Sequence, residues 1–439
     1  MKFSDDLRKL EKYPFHMPGH KRSDKFGIVG SEIDITEVYG ADNLHDPHAH
    51  GNILEIENAL AEIYKSKKSF LMTNGSTGGI LAAIFAVCNE GDKIIIARNC
   101  HKSVYNACMI RRLKVVYVEP RFDYVDGYYT NTLQDDVNAV LAENEDAKAI
   151  VISSPTYEGN TSRIKANIPI IIDAAHGAHF GIATFCEYPT GDIVISSLHK
   201  TLPALTQAAV ANVFNEEYIE KFKRYIDIFE TSSPSYIIMD SAAKCCDYIK
   251  NNKKDFEENI KNLWDFRDIE LQCLRLKYSD DISKIVISCA NANIDGTALA
   301  DRLRKEYNIE PEMASKNYII LMTSVADSRD ALEHLKTALC EIDSSLFKTA
   351  NDLIDKPPIA SGEHIIEIAE KSRETALNES LGKIANEFIY AYPPDIPIIV
   401  PGEIIDRKTL GYIKSLLKAN VNIVSDSGLL PNKTLTKGA

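Results

Sequence analysis

Basic residues are in short supply: 50 Lys and Arg face 63 Asp and Glu over 439 residues, a formal net charge of −13. That balance argues against a general binder of nucleic acid or anionic membrane. No apolar run approaches the roughly 18 residues of a membrane span, and the opening MKFSDDLRKLEKY is too charged for a signal peptide. The expected location is the cytoplasm. Nine cysteines are scattered along the chain without a C-x-x-C pair, which fits reduced thiols rather than a disulfide framework or zinc knuckle. Internal repeats and low-complexity linkers are also missing. What remains is an ordinary soluble composition, at 45% hydrophobic and 26% charged, in a chain long enough for two or three domains without staples.

From residue 69 to 214, short β-branched runs alternate with helical segments: SFLMT (69–73), KIIIA (93–97), KVVYVEP (114–120), KAIVISS (148–154), IPIIIDA (168–174), DIVISS (192–197) and AVANVF (209–214). Continuously apolar strands separated by helices predict a mostly parallel, seven-stranded sheet covered on both faces. Residues 240–270 read as a long polar helical stretch. A second, smaller α/β pattern follows, with KIVISC, GTALADRLRKEY, IEPEMA, YIILMTS and SRDALEHLKTALCEI. The segment SRETALNESLGKIANEFI (372–389) reads as a further helix before the Pro-rich AYPPDIPIIVPGE.

Ligands of open α/β sheets bind beyond the carboxyl ends of the strands, so the residues after each run deserve the closest reading. After the first run, Thr73-Asn74-Gly75-Ser76-Thr77-Gly78-Gly79 leads into a helix, a small-residue turn able to hold a phosphate or simply a capped turn. It is not a P-loop, because no Gly-Lys-Ser/Thr follows. After the second run comes His101, which alone would read as a structural hydrogen-bonding residue. Asp173 ends IPIIID ahead of His176; it would cap a helix or hold a cationic ring nitrogen. After DIVISS, with Ser197 at its end, come His199 and Lys200. A lysine at a buried strand end is costly as a bare charge, and a Schiff base with pyridoxal 5'-phosphate (PLP) removes that cost. Such a lysine needs a phosphate cradle, an acid at the pyridine nitrogen and a stacking ring. All are present at successive strand ends.

With these residues in view, the chain resembles the bacterial fold-type I PLP-dependent ornithine/lysine/arginine decarboxylases, in a compact form without the N-terminal wing domain. The resemblance runs through PFHMPGHKR (14–22), DITEVYGADNLHDP (34–47), TNGSTGGI (73–80), ARNCHKSVYNA (97–107), SSPTYEG (153–159), DAAHGAH (173–179), SSLHKTLPALTQ (196–207), TSSPSYIIMDS (231–241) and YPPDIPIIVPGEII (392–405). It implies an aspartate-aminotransferase-like fold. An arm (1–30) precedes a large PLP-binding domain (31–245), and a smaller C-terminal α/β region (246–439) follows.

The resemblance also implies roles. Lys200 carries PLP as a Schiff base, Asp173 pairs with the pyridinium nitrogen, and His101 stacks on the ring. Gly75, Ser76 and Thr77 hold the phosphate with Ser197 and His199, and His176 lies beneath or beside the ring. Ser232 and Ser233 approach the phosphate of a neighbouring subunit, so a homodimer is the expected minimum. The implied reaction is decarboxylation of arginine, lysine or ornithine, serving polyamine synthesis or acid resistance. For the substrate's distal cation Glu403 is the first candidate, while Glu37 and Asp42 read better as caps or surface acids. Another fold-type I activity such as an aminotransferase, or a silent PLP-binding relative, would use the same cofactor residues. Three departures stand out: Ala174 where the family often has an acid, the His-rich LHDPHAHGNI, and Asp395 where Tyr-Pro-Pro-Gly is usual. His45, His48 and His50, near Asp42 and Asp46, have no helical i, i+4 spacing; no metal is expected there.

Overall fold

The computed structural model describes residues 3–8, 17, 20–35, 51–349, 353–357, 359–360 and 362–438. Glu37, Asp42 and the three histidines of the LHDPHAHGNI segment lie outside the described residues. The chain divides into two compact units, residues 1–87 with 171–257 and residues 88–170 with 258–439.

In the first unit the strands run in the order Lys68–Met72, Ala209–Val213, Ile193–Ser197, Ile170–Asp173. Ala209–Val213 is antiparallel to both neighbours, and Ile170–Asp173 is parallel to Ile193–Ser197. The Lys68, Ile193 and Ile170 strands therefore point the same way, and their carboxyl ends share one edge. Nearly every strand residue is buried, as expected of Ile- and Val-rich runs covered on both faces. The helix Gly75–Val87 lies close on this sheet because Gly79 has no side chain. A Cβ there would sit 2.7 Å from Met72 Cε and 3.0 Å from Ile195 Cγ2. Phe85 on the same helix meets Tyr225 and Phe229 of the helix Ile219–Phe229 edge-on, at 5.5 and 4.9 Å.

In the second unit Lys93–Ala97 runs parallel between Lys114–Val118 and Ala149–Ser153. Past Lys114–Val118 lies the short antiparallel His364–Ile365. A separate antiparallel sheet joins Arg275–Leu276, Lys284–Ser288, Tyr318–Met322 and Met313–Ala314, with helices Gly296–Tyr307 and Arg329–Ser344 capped by Asp295 and Ser328. The last part packs helix Arg407–Lys418 on the strands Ile389–Ala391, Ile396–Ile399 and Ile423–Ser425 around Ile389, Ile399, Ile405 and Ile413.

Two expectations need revision. The polar stretch 240–270 is two helices, Tyr236–Asn251 and Lys253–Arg267, separated at Asn252. The segment 372–389 is not helical. Ser372–Ala376 is a strand paired with Lys433–Lys437, followed by a single turn Leu377–Glu379. Gly382, at φ +78°, turns the chain into the left-handed region and prevents a helix from continuing. The strand partner lies some sixty residues away, and its Thr436 meets the inward-facing Thr375 hydroxyl to hydroxyl at 2.9 Å.

Candidate active site

Three groups of candidate residues come together at the shared carboxyl edge of the first unit: Gly75, Ser76 and Thr77; Ser197, His199 and Lys200; and Asp173 with His176. Across that edge Met72, Ala209 and Ser197 lie in one register row. Beyond Met72 the chain turns through Thr73 and Asn74 into the helix that begins at Gly75, whose φ is +81°. An α-helix leaves its first four N–H groups without intrahelical partners. Gly75 N–H is spent on the Gln207 carbonyl at 2.9 Å, which leaves those of Ser76 and Thr77 at the positive end of a thirteen-residue helix, where an anion would be favoured.

The lysine segment begins one row position away. Ser197 is fully buried, and its Oγ has no hydrogen-bond partner among the described residues. The buried hydroxyl of Thr201 and the Asn74 Oδ1 are in the same condition. A hydroxyl buried without a partner is costly, and a cluster of such groups beside free helix N–H donors fits a polar, anionic group. Ala208 O accepts both the backbone N–H of His199 (3.2 Å) and its Nδ1 (2.9 Å). Burial, assisted by the charge of Lys200, holds the His199 imidazole below its ordinary pKa. Residues 207 and 208 thus tie the helix start to the lysine segment.

Lys200 Nζ lies 3.1 Å from His176 Nε2. His176 stands on the turn after Asp173, which is held against the lysine segment by Ala174 N–H to Ile195 O at 2.8 Å. Asp173 is buried, and its Oδ1 accepts from the Ala175 N–H at 3.1 Å. Amine, imidazole and buried carboxylate are the complement needed to hold an aldehyde-bearing, protonated aromatic ring. The residues present therefore fit PLP. Ser232 and Ser233 are exposed, with Ser233 N–H turned onto Thr231 Oγ1 at 3.2 Å.

His101 and Glu403 belong to the second unit. His101 follows the carboxyl end of Lys93–Ala97 and caps the helix Lys102–Arg111: its Nδ1 accepts from Ser103 N–H at 3.1 Å and lies 2.8 Å from Ser103 Oγ. Its Nε2 is 3.7 Å from Asp395 Oδ2. Asp395 adopts φ +62°, a left-handed conformation that explains why glycine suits this position, and its carbonyl accepts from Lys102 N–H at 2.9 Å. Glu403 accepts from Tyr117 OH (3.1 Å) and Val400 N–H (3.0 Å) and lies 3.9 Å from Arg98. Arg98 is buried, donating to Tyr105 OH, Pro397 O and Ile398 O at 3.0, 2.6 and 2.9 Å, with its guanidinium over the Tyr117 ring. The sequence assigns no role to Arg98 or Gln207. The first is visible as a charge directly after an apolar strand; the second acts through a backbone contact that no local pattern announces. Among the described residues no group of His, Cys, Asp or Glu is placed to hold a metal ion, and no helix is long and apolar enough to cross a membrane.

Solved structures place this architecture among the aminotransferase-like α/β folds. An alanine–glyoxylate aminotransferase from Nostoc sp. superposes with a TM-score of 0.54 at 14% identity, covering 69% of this chain and 90% of the other. The likeness is closer to the constitutive lysine decarboxylase of E. coli, with a TM-score of 0.75 at 17% identity over 99% of this chain and 82% of that one. The lysine decarboxylase of Francisella novicida gives 0.77 at 16%, covering 99% and 81%. In sequence, residues 6–287 match the Orn/Lys/Arg decarboxylase major domain and residues 344–423 its C-terminal domain. The chain belongs to the Orn/Lys/Arg decarboxylase family and is an amino-acid decarboxylase. It is 28% identical to an arginine decarboxylase of Bacillus subtilis (strain 168) over 452 residues, 93% of this chain and 91% of the relative.

Proposed function

We propose that the protein removes the α-carboxylate of a basic L-amino acid (arginine, lysine or ornithine) as CO2, with PLP held on Lys200. The observation that carries this reading is the 3.1 Å approach of Lys200 Nζ to His176 on the edge that also bears Asp173, the free helix N–H groups and the unpartnered Ser197 hydroxyl. PLP supplies an electrophilic aldehyde and a protonated ring that accepts the electron pair released as CO2 leaves.

The chain's own groups do the rest. The Lys200 amine binds the aldehyde, and His176 gives or takes a proton at Nζ. The Asp173 carboxylate keeps a proton on the ring nitrogen. Ser76 and Thr77 with their amides, Gly75 at the turn, Ser197 and His199 would orient the phosphate, and His101 would serve as the stacking residue for the ring. Glu403 receives the substrate's distal cation: each of its oxygens already accepts one hydrogen bond, and each keeps a lone pair for another. Ser233 completes the phosphate site of a second subunit in a homodimer. The test incubates the PLP-loaded protein separately with L-arginine, L-lysine and L-ornithine and measures CO2 and the matching amine. Release from one of them is expected, and its loss in Lys200→Ala. Normal amine production by Lys200→Ala would refute the assignment.

A further inference from the structure

We propose that Glu230 is a positioning residue for the phosphate cradle, clamping the turn that aims the N-terminus of the helix Gly75–Val87. The inference rests on the PLP reading given above. Glu230 Oε1 accepts two hydrogen bonds from the same residue, one from Thr73 N–H at 3.0 Å and one from Thr73 Oγ1 at 2.5 Å. Thr73 is the first residue after the strand Lys68–Met72 and stands two before the helix. The preceding carbonyl, Phe229 O, accepts from Asn74 Nδ2 at 2.8 Å. Two consecutive residues of one element therefore hold two consecutive residues of the turn.

The clamp has a rigid base. Glu230 caps the C-terminus of the helix Ile219–Phe229, its N–H donating to Ile226 O at 2.7 Å. Phe229 and Tyr225 of that helix grip Phe85 of the cradle helix. On its other side the turn is held by Gly75 N–H on Gln207 O. There is also little slack inside it, since a Cβ on Gly78 would fall 2.6 Å from Asn74 Oδ1. Fixing Thr73, Asn74 and Gly75 fixes the direction of the amides of Ser76 and Thr77, and amides serve an anion only when they are already aimed.

A carboxylate beside a phosphate site is unfavourable as charge alone, so its use here is as a hydrogen-bond acceptor. This separates two substitutions. Glu230→Gln keeps an acceptor oxygen for Thr73, whereas Glu230→Ala leaves two donors of Thr73 unsatisfied.

The experiment titrates PLP and pyridoxal, which lacks the phosphate, into the wild type, Glu230→Ala, Glu230→Gln and Thr73→Val, following the lysine-linked absorbance. Glu230→Ala is expected to raise the Kd for PLP about tenfold while leaving that for pyridoxal nearly unchanged. Glu230→Gln should stay within about threefold of wild type for both. Thr73→Val, which removes one of the two donors and keeps the backbone bond, should weaken PLP binding by about threefold and supplies the answer if Glu230→Ala does not fold. Equal loss of PLP and pyridoxal affinity, an unchanged PLP Kd in both Glu230→Ala and Thr73→Val, or a Glu230→Gln as damaged as the alanine variant would each overturn the proposal. Failure of the wild type to bind PLP would instead overturn the cofactor reading itself.

Discussion

Glu158, in the segment SSPTYEG, is buried in the second unit, and burial pushes its carboxyl up from 4.5 to about 7. It borders a cavity of about 90 Å3 with Tyr128, Tyr129 and Tyr318, and the Tyr318 hydroxyl donates to it at 3.0 Å. That bond and the charge of Lys284 favour the ionised form and offset only part of the desolvation. The folded protein therefore holds this proton more tightly than the unfolded chain does. The stabilisation is complete below about pH 4.5 and is lost as pH rises through about 7. Each tenfold in proton affinity is worth about 1.4 kcal/mol, so the loss across that window is about 3 kcal/mol. Glu158→Gln keeps the shape and an acceptor for Tyr318 but has nothing to ionise. Urea unfolding of both proteins at about pH 5 and about pH 8 isolates the effect, because every other titrating group is common to the pair. Wild type is expected to lose about 2–3 kcal/mol more than the variant between the two conditions, slightly less than the full window because pH 5 already lies above 4.5. Equal losses would show that Glu158 is ionised in the folded protein at both pH values and would refute the reasoning.

Arg98→Met should cost about 3–5 kcal/mol, because it strands the Glu403 carboxylate and two buried carbonyls. Arg98→Lys should rescue little, since one ammonium cannot reproduce the planar fork that reaches Tyr105, Pro397 and Ile398; a wild-type melting temperature for Arg98→Lys would contradict this. Asp395→Gly should raise stability by about 0.5–1 kcal/mol by relieving the left-handed backbone at φ +62°, and a lower urea midpoint would show that the contact with His101 outweighs the strain. In the folded protein a thiol reagent should label Cys186 and Cys340 ahead of the seven buried cysteines. Burial pushes the thiols of Cys88 and Cys246 up to about 12, so rapid labelling at either, read by peptide mapping, would contradict the burial.

The strands were legible because their signal is local. Runs such as KIIIA and DIVISS are β-branched and bounded by turn residues, and the strands Lys93–Ala97 and Ile193–Ser197 fall on them. The polar residues just beyond those runs, from Gly75 to Lys200, could be singled out for the same reason. What local pattern cannot carry is a partner. Ser372–Ala376 has helix-forming composition, yet it is a strand because Lys433–Lys437 pairs with it. Glu230 is an unremarkable acid at a helix end until Thr73 is brought to it from 157 positions away. The helix break at Asn252 is equally hidden, since the residues on both sides favour helix and only the backbone at one position interrupts it.

The single reversed strand in the first unit has a chemical consequence. In a wholly parallel sheet the carboxyl edge carries only strand exits, and each loop there departs independently into its own helix. Ala209–Val213 enters at that edge, between the exits at Met72 and Ser197, so the residues just before it pass between the cradle and the lysine segment. Gln207 gives its carbonyl to Gly75, and Ala208 gives its carbonyl twice to His199. Serving both sides from adjacent residues requires consecutive carbonyls to face different ways, and Gln207 adopts φ +80° to do so. A residue with a Cβ persists in that region only when its surroundings over-determine it, and here Gln207 O is held by Gly75 N–H while Ala208 is held by Leu205 O and His199. The antiparallel strand thus couples two loops that a parallel sheet would leave separate. The strain at Gln207 is the cost of keeping the start of the helix Gly75–Val87 and the segment that bears Lys200 in one fixed relation.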